Sequence, residues 1–444
     1  MARIGLIGLW HLGTVAAAGL ASLGHTVRAT DPDPRTVAAL GRGDPPVFEP
    51  HLAEAIAREQ AAGRLHFVAS VAEAAEGAEA VYVTFDTPVD ENDRSDITPI
   101  VSAVDAIIAA AAQIPPGVLI VVMSQVPAGT LAQLQARFAE APALSARLIY
   151  QPENLRLGRA LETFLAPDFL VVGAAEPDDA QDFLRFYRGI ETHVLPMSWE
   201  SAELSKHAVN AFLASSISFA NELADLAEVS GADVREVMQV LRHDRRIGAQ
   251  AFLDPGPGFS GGTLARDVQT LRGLGARASL PTRLLDATLE VNRGRLARLA
   301  ERVAGACGGL RGATIALLGL TYKPGTSTLR RSASLEFAAR LTRAGARVRA
   351  HDPQVREASA ETRGVMLAAD PYQAAAAADA VVLMTPWPEF RALDFARLRA
   401  SLARPVLVDA HNFLDRNAAG AAGLAYWGVG LGRAESQSRA EGAR

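Results

Sequence analysis

Three polar residues within one apolar stretch could carry out acid–base chemistry. The stretch covers residues 197–230, and its apolar residues are spaced as in a long buried helix. Glu203, Lys206 and Asn210 stand at i, i+3 and i+7, which places all three on one face of such a helix. No Asp, Glu, Lys or Arg occurs between Lys206 and Glu222, so the lysine lies at the edge of an apolar element. A buried ammonium is costly unless polar groups surround it.

Two interpretations of Lys206 follow from this helix alone. The first is an exposed ion pair with Glu203 on an amphipathic helix. The second is an ammonium at an active site, where it stabilises negative charge that develops on a substrate oxygen while neighbouring carboxylates move protons. The other motifs of the chain favour the second interpretation.

The composition is typical of a soluble globular protein. The 444 residues suffice for roughly three domains, and 49% of them are hydrophobic and 21% charged. A net charge of -5 gives no basis for a nucleic-acid or membrane partner. The single cysteine, Cys307, excludes a disulfide framework and suits a reducing compartment. Residues 1–24 could be a signal peptide, but a histidine and two glycines interrupt the apolar run, so we expect a cytoplasmic protein. We predict no metal site.

The N-terminal residues predict a dinucleotide-binding unit. Arg3–Ile7 has the pattern of a buried strand, GLWHLG follows it at residues 8–13, and a helical pattern leads to a second strand that ends at Asp31. Asp31 stands 18 residues after Gly13, close to where a carboxylate accepts hydrogen bonds from a ribose diol. This favours NAD over NADP, because a 2'-phosphate would meet a negative charge. Trp10 occupies the second glycine position, and we expect its indole to point away and the cofactor to sit slightly outward.

Three polar loops are predicted to lie at one edge of the same sheet. Residues 79–85 and 118–122 have buried-strand patterns and run into the loops 86–88 (DTP) and 124–127 (SQVP). In an open parallel sheet the loops at the carboxyl ends of the strands border the ligand crevice. The loop 151–156 (QPENLR) is a third candidate, for which a solvated turn is the alternative interpretation.

A loop rich in glycine and proline, FLDPGPGFSGGTLARD at residues 252–267, follows the central helices. It could be a plain linker. It also carries Phe252 and Phe259 and leads into a helical pattern from Asp267. These features favour a loop whose backbone contacts a ligand.

The C-terminal third repeats the N-terminal pattern. Residues 314–320 mirror the first strand, 351–353 (HDP) mirror 30–32 (TDP), and 380–386 mirror the strand that ends at 87–88. We therefore predict an α/β fold in which two Rossmann-like parallel-sheet domains are joined by a helical central domain. The predicted domains are 1–197, 198–307 and 308–432, followed by a disordered tail at 433–444.

Ten short segments stand in the order and spacing of one known family. They are GLWHLG (8–13), FEPHL (48–52), DTP (86–88), SQVPAGT (124–130), QPENLRLGRA (151–160), SAELSKHAVNAF (201–212), RIG (246–248), GPGFSGGTLARD (256–267), LTYKPGTSTLRRS (320–332) and DAHNFLD (409–415). Each segment alone is weak, but their order together is specific. On these segments, which extend over nearly the whole chain, the sequence resembles the UDP-glucose/GDP-mannose dehydrogenases.

The resemblance implies an NAD-dependent oxidation of the C6 primary alcohol of a nucleotide-linked hexose, a UDP-hexose above all, to the uronic acid in two hydride transfers. It also implies a homodimer built on the helical middle. By the same resemblance Lys206, Asn210 and Asp267 surround the reacting oxygen, and Glu153 handles the proton and water of the hydrolytic half. The implied cofactor contacts are Gly8, Trp10, Gly13, Asp31, Thr87, Gln125 and Arg330. The implied substrate contacts are Leu155, Arg246, Phe252, Gly258, Phe259 and Lys323.

The sequence departs from the family at five motif positions. Thr263 stands where the family has its cysteine nucleophile, and Cys307 lies in a linker and cannot replace it. A thiol is intrinsically nucleophilic, whereas a hydroxyl needs a dedicated base, so we expect the thioester route to be closed. The other departures are Gln125 for a threonine, Leu157 for a glutamate, Trp10 for a glycine and His411 for an arginine.

These departures leave two alternatives to a full nucleotide-sugar dehydrogenase. One is an oxidoreductase that stops at the 6-aldehyde or works on it reversibly. The other is a catalytically inactive protein that binds nucleotide sugars, against which the retained Lys206 and Asp267 argue, because binding alone would not need both. We expect the first hydride transfer to survive, and the second to be slow or absent and to proceed through the aldehyde hydrate.

Overall fold

The computed structural model describes residues 1–87 and 95–432. The chain forms two compact units, Met1–Val209 and Asn210–Arg444. The predicted disordered tail at 433–444 and Pro88 of the DTP loop lie outside the described residues. The predicted boundaries between three domains stay a prediction.

The first unit contains an eight-stranded sheet with the order β3-β2-β1-β4-β5-β6-β7-β8. Its strands are β1 Arg3–Ile7, β2 Thr26–Thr30, β3 Leu65–Phe67, β4 Ala80–Val83, β5 Leu119–Val122, β6 Arg147–Tyr150, β7 Phe169–Ala174 and β8 His193–Met197. The first six strands are parallel, as predicted. Strand β7 runs antiparallel to β6, and β8 is parallel to β7, so the last two strands reverse the direction of the sheet.

The helices of this unit cover both faces of the sheet. They are α1 His11–Ser22, α2 Pro34–Gly41, α3 Leu52–Ala61, α4 Val71–Ala75, α5 Thr98–Ala109, α6 Thr130–Phe138, α7 Ala160–Leu165 and α8 Pro177–Phe183. Strands β4 and β5 read AVYV and LIVV and are buried at every position, as expected for parallel strands between two helical layers. The side chains of the two faces form separate apolar cores.

Four helices follow the first sheet. They are α9 Trp199–Ser230, α10 Val234–His243, α11 Leu264–Arg277 and α12 Arg283–Cys307. Helix α9 confirms the long helix predicted from the apolar spacing, but it is not buried on all sides, since the side chain of Phe212 is 71% exposed. Helix α11 begins at Leu264, three residues before the predicted start at Asp267.

The second unit ends in a six-stranded parallel sheet with the order β11-β10-β9-β12-β13-β14. The strands are β9 Thr314–Leu318, β10 Arg347–His351, β11 Val365–Leu367, β12 Ala380–Leu383, β13 Val406–Asp409 and β14 Ala425–Gly428. The helices α13 Ala333–Arg343, α14 Pro371–Ala375, α15 Phe395–Ser401 and α16 Arg416–Ala421 complete this part.

The two sheets are built in the same way, which confirms the predicted repeat. The order of β9 to β14 reproduces the order of β1 to β6. The match extends to single hydrogen bonds. The N–H of Leu9 donates to the carboxylate of Asp31 at 2.7 Å, and the N–H of Leu320 donates to that of Asp352 at 2.7 Å. An aspartate at the end of the second strand therefore holds the turn after the first strand in both sheets. The predicted α/β fold class is confirmed.

Candidate active site

Lys206 is held by the loop that follows β6. Its side chain is 9% exposed, and its Nζ donates to the carbonyl oxygen of Glu153 and, at 3.3 Å, to Oδ1 of Asn154. The same Nζ lies 3.8 Å from Oε1 of Glu153, whose Oε2 accepts the N–H of Leu155 at 2.6 Å. The loop 151–156 is thus a partner of the buried lysine and not a solvated turn. The arrangement places a cation and a carboxylate side by side.

Glu203 has a different partner from the one that the spacing suggested. The residue is fully buried, and its carboxylate accepts the N–H groups of Gly129 at 2.6 Å and Leu131 at 2.8 Å, at the start of α6. Burial raises the pKa of this carboxyl above its ordinary value, and the backbone hydrogen bonds oppose the rise. The interpretation of Lys206 and Glu203 as an exposed ion pair is wrong. Glu203 attaches α9 to the SQVPAGT segment.

His207 was missed by the sequence reasoning although it lies beside Lys206. It is fully buried, with Nε2 at 2.8 Å from the carbonyl oxygen of Val126 and Nδ1 at 3.5 Å from Nε2 of Gln125. A carbonyl only accepts hydrogen bonds, so Nε2 carries the proton and Nδ1 accepts from the amide of Gln125. Thr87 donates its hydroxyl to the carbonyl oxygen of Gln125 at 2.6 Å. The predicted cofactor residues Thr87 and Gln125 therefore lie together, and Gln125 is tied to α9.

The turn between β1 and α1 fits a dinucleotide. Gly8 has φ +101°, and a Cβ at Gly13 would lie 1.7 Å from the carbonyl oxygen of Gly8, so only glycine permits this close packing of helix on strand. The first turn of α1 contains no acidic residue, and the N–H of Leu12 donates to the carboxylate of Asp86 at 3.2 Å. A negatively charged oxygen thus already binds at this helix terminus. A pyrophosphate suits the same position.

Asp31 and Trp10 lie on either side of this turn. The carboxylate of Asp31 accepts the N–H groups of Leu9 at 2.7 Å and Asp33 at 2.9 Å, which fixes it at the end of β2. A carboxylate accepts about four hydrogen bonds, so two remain for a ribose diol. Trp10 immediately precedes α1, and its side chain is exposed. The predicted displacement of the cofactor by Trp10 stays a prediction.

Glu49 joins three of the sequence segments. Its side chain is fully buried and accepts hydrogen bonds from Nε2 of His11 at 2.8 Å, from the N–H of Gly158 at 2.9 Å and from the N–H of Ala160 at 3.2 Å. These contacts connect FEPHL with GLWHLG and with QPENLRLGRA. The sequence reasoning quoted Glu49 without giving it a role. Glu49 stands between Phe48 and Pro50, which are both exposed, so nothing in the local pattern would reveal these partners.

Asn210 and Asp267 are brought together within the second unit. Both side chains are buried, and Nδ2 of Asn210 donates to Oδ2 of Asp267. The guanidinium Nε of Arg266 lies 3.6 Å from Oδ1 of the same carboxylate. The carboxyl group of Asp267 therefore has a neutral donor on one oxygen and a guanidinium near the other. The catalytic roles that the resemblance implied for these residues stay a prediction.

Thr263 immediately precedes α11, and its side chain is exposed. The N–H of Gly261, two residues earlier, donates to the carbonyl oxygen of Arg331 at 3.0 Å, so the glycine-rich loop contacts the LTYKPGTSTLRRS segment. Cys307 lies at the end of α12 in the core of the second sheet, and burial raises the pKa of its thiol to about 11. Such a thiol is not ionised at neutral pH and cannot act as a nucleophile.

The remaining predicted residues take several positions. Phe259 is buried against α9 and α11, whereas Phe252 is exposed. Leu155 packs against the core of the first sheet, Lys323 is partly buried and Arg330 is exposed. The side chain of Arg246 is 88% exposed and forms an ion pair with Asp244 at 2.6 Å. The hydrogen bonds and ion pairs described for Asn210 and Asp267 do not include Arg246 or Arg330.

His411 stands at the position where the resemblance places a family arginine. Its Nε2 lies 3.0 Å from the carbonyl oxygen of Met384, and burial lowers the pKa of the imidazole. Burial thus favours the neutral form of the ring at this position.

Two wider features concern metals and membranes. Within residues 1–87 and 95–432, no group of three or more His, Cys, Asp and Glu side chains could hold a metal ion. No helix in that part of the chain has the length and apolar character needed to cross a membrane.

Three family models match the chain in order. Residues 2–191 match the NAD binding domain, 200–294 the central domain and 316–416 the UDP binding domain of the UDP-glucose/GDP-mannose dehydrogenase family. A UDP-glucose 6-dehydrogenase of Rhizobium meliloti (strain 1021) is 36% identical, over 96% of this chain and 99% of that protein. A UDP-glucose 6-dehydrogenase of Pseudomonas aeruginosa is also 36% identical, over 97% and 98%.

A solved structure gives the same likeness. The UDP-glucose dehydrogenase of the archaeon Pyrobaculum islandicum superposes with a TM-score of 0.88 at 34% identity, covering 97% of this chain and 98% of that one. The UDP-D-ManNAc dehydrogenase of Pyrococcus horikoshii, at 24% identity and a TM-score of 0.84, shares the fold.

Proposed function

Because this chain belongs to the UDP-glucose/GDP-mannose dehydrogenase family, we propose that it oxidises the C6 primary alcohol of UDP-glucose. Membership confirms the resemblance found in the sequence segments, and it confirms NAD as the cofactor. The chain is an NAD-dependent nucleotide-sugar dehydrogenase, so the alternative of an inactive binding protein is set aside. The observation that carries UDP-glucose as the substrate is the near full-length likeness to UDP-glucose 6-dehydrogenases.

Lys206, Asn210 and Asp267 have the chemistry of the first step. NAD, when bound, accepts the hydride from C6. The ammonium of Lys206 stabilises the oxyanion that forms as the alcohol loses its proton. The carboxylate of Asp267 accepts that proton, and Asn210 holds the carboxylate by a hydrogen bond. We propose that these residues act in the same reaction.

The second oxidation needs a tetrahedral carbon that carries a hydride. Glu153 and Gln125 are the residues that we assign to the water that adds to the aldehyde. Glu153 is next to Lys206, and His207 orients the amide of Gln125. Addition of water gives the aldehyde hydrate, and transfer of a hydride from the hydrate to a second NAD, with loss of a proton, would give the acid. The uronic acid product would serve polysaccharide biosynthesis.

A second candidate function rests on Thr263. A threonine at the position of the family's cysteine lacks the thiol that captures the aldehyde, and a hydroxyl requires a dedicated base. The candidate is a two-electron oxidoreductase that releases the 6-aldehyde of the nucleotide sugar. The exposure of Thr263 and its place before α11 support it.

We also propose that the enzyme is a homodimer formed through α9. Phe212, Phe219, Leu226 and Val229 are exposed on this helix, and the first three are spaced by seven residues. An apolar stripe of this kind marks a protein interface. The proposed compartment is the cytoplasm, where a free cysteine such as Cys307 stays reduced. Sedimentation analysis of the wild type and of Phe212→Glu tests the dimer: the substitution should yield monomers.

The substrate is tested by incubating the purified full chain with NAD and a panel of nucleotide sugars while the absorbance of the reduced cofactor is followed. UDP-glucose should give the highest kcat/KM. Turnover of another nucleotide sugar at a much higher kcat/KM, with none of UDP-glucose, would overturn the substrate assignment and leave the enzyme class unchanged.

A further inference from the structure

One asparagine bonds both backbone groups of Phe259. The N–H of Phe259 donates to Oδ1 of Asn292 at 2.8 Å, and Nδ2 of Asn292 donates to the carbonyl oxygen of Phe259 at 2.9 Å. Gly258, the preceding residue, has φ +95°, and a Cβ there would lie 2.4 Å from Oδ1 of Asn292. Glycine at 258 is thus required both by the backbone and by the approach of the asparagine. Asn292 belongs to α12 and to no segment that the sequence reasoning singled out.

The backbone of Gly256, three residues before Phe259, is also held by hydrogen bonds to side chains, in this case two different ones. Its N–H donates to Oδ1 of Asn221 at 2.8 Å, and its carbonyl oxygen accepts from Nε of Arg295 at 3.3 Å. Asn221 is fully buried, and Arg295 is nearly so, with its charge paired to Asp225 at 2.7 Å. The side chain of Asp225 is 21% exposed and also lies 3.2 Å from Nε of Arg298, so the carboxylate holds the guanidinium of Arg295 in place from a partly buried position.

We propose that Asn292, assisted by Asn221 and Arg295, is a positioning residue that fixes the backbone of residues 256–259 before the nucleotide sugar binds. The inference rests on the proposed function, together with the substrate contacts of Gly258 and Phe259 that the family resemblance implies. A loop of two glycines, a proline and a phenylalanine loses much conformational entropy when it is ordered. Side chains that order it in the free enzyme remove that cost from binding.

A structural role in helix packing is the competing explanation, because Asn292 and Arg295 lie on α12 and Asn221 lies on α9. The chain offers a matched control. Ser218 on α9 is buried and donates its hydroxyl to the carbonyl oxygen of Thr288 on α12 at 2.8 Å. This bond joins the same two helices and does not involve the loop. Ser218→Ala therefore removes one hydrogen bond between the two helices and leaves the bonds of the loop in place.

The experiment compares the full-length wild type with Asn292→Ala, Asn292→Ser and Ser218→Ala. Two readouts are needed: amide hydrogen exchange of residues 256–259 in the free enzyme, and KM for UDP-glucose beside KM for NAD. The two Asn292 variants should exchange faster at Phe259 and should raise KM for UDP-glucose roughly tenfold, the effect of about two lost hydrogen bonds. KM for NAD should stay within about twofold, and Ser218→Ala should change neither readout.

Folded Asn292 variants with wild-type exchange and wild-type KM would overturn the proposal, and so would a Ser218→Ala variant that reproduces their effects. The serine variant keeps the test informative if the alanine variant does not fold. Suppose that the Asn292 variants exchange faster at Phe259 but the wild type does not turn over UDP-glucose. This result would support the fixation of the loop by Asn292 and would refute the proposed substrate. The two failures are thus distinguishable.

Discussion

Replacement of Lys206 by alanine is the sharpest test of the proposed chemistry. Lys206 and Lys323 are the only two lysines among the 44 lysine and arginine residues of the chain. Arginine therefore meets nearly every need for a cation here, and both lysines fall in segments of the proposed site. Lysine differs from arginine in being a compact point charge that can release its proton. A position that keeps lysine in such a chain needs one of these two properties.

The expected loss of activity exceeds the expected loss of stability. Removal of one preorganised donor to a developing oxyanion costs about 2.7–4 kcal/mol, or 10²–10³-fold in kcat. Lys206→Ala also removes the hydrogen bonds from Nζ to Glu153 and Asn154. Their loss costs at most about 1.5–3 kcal/mol in the free energy of unfolding, and the relief of burying an ammonium offsets part of it. The variant should therefore fold and bind NAD, while its kcat falls by the factor given above.

The assay is initial-rate formation of reduced cofactor with UDP-glucose, together with urea unfolding of the same preparations. Lys323→Ala is the matched control, because the resemblance assigns Lys323 to the nucleotide sugar and not to the reacting oxygen; it should raise KM and keep most of kcat. Lys206→Arg should not restore activity, since the planar guanidinium neither fits the site nor releases a proton. A Lys206→Ala variant with kcat within a few-fold of wild type would refute the role of Lys206.

Three further predictions follow from single residues. Early in the reaction, reduced cofactor counted per sugar consumed should give roughly one, with a trappable aldehyde, because the route through the hydrate to the acid is slow. Thr263→Cys should raise the rate of the second step; a prompt ratio of about two in the wild type would contradict this. His51→Gly should raise the free energy of unfolding by roughly 0.5–1 kcal/mol, because His51 has φ +64°, a left-handed conformation that glycine adopts without strain. A lower urea midpoint at constant m would contradict this prediction. The pKa of Glu203 is raised in the folded state, so its contribution to stability is present below the unfolded pKa of about 4.3 and is lost as pH rises through the folded pKa. Glu203→Gln should therefore flatten this part of the curve of unfolding free energy against pH. A variant with the same pH profile as the wild type would show that Glu203 does not cause this pH dependence.

The strands and their repeat could be predicted because parallel strands between helical layers leave a direct mark on the sequence. The runs that became β1, β4, β5, β9 and β12 are short, apolar and followed by turn residues. The reversal at β7 could not be predicted, because a buried strand has the same composition in either direction. The early start of α11 was hidden by the glycines and Thr263 that precede it, since these residues are typical of loops.

Partners of side chains were predicted less well than positions of side chains. Spacing on a helix correctly placed Glu203 and Lys206 on one face, but it could not show that the glutamate bonds the start of α6 and that the lysine bonds the loop after β6. The exposed Phe212 was expected to be buried, because an apolar pattern does not distinguish a core from a surface that a second copy covers. Asn292 had no motif at all. The number of lysines was an unused signal, since it selects Lys206 and Lys323 from the sequence alone.

The side chains assigned to the first hydride transfer are held by more contacts than Thr263, the residue that would replace the thiol. Lys206 has a carbonyl oxygen and a carboxylate as buried partners, and Asp267 has an amide donor and a nearby guanidinium. Each is therefore oriented before a substrate arrives, which is the condition for electrostatic stabilisation of a transition state. Thr263 is exposed at a loop end and makes no capping bond to the helix that follows it. A nucleophile that must attack an aldehyde needs at least as much orientation as an acid or a base. We therefore propose that Lys206 and Asp267 serve the removal of the first hydride, and that the fate of the aldehyde depends on the water that we assign to Glu153 and Gln125.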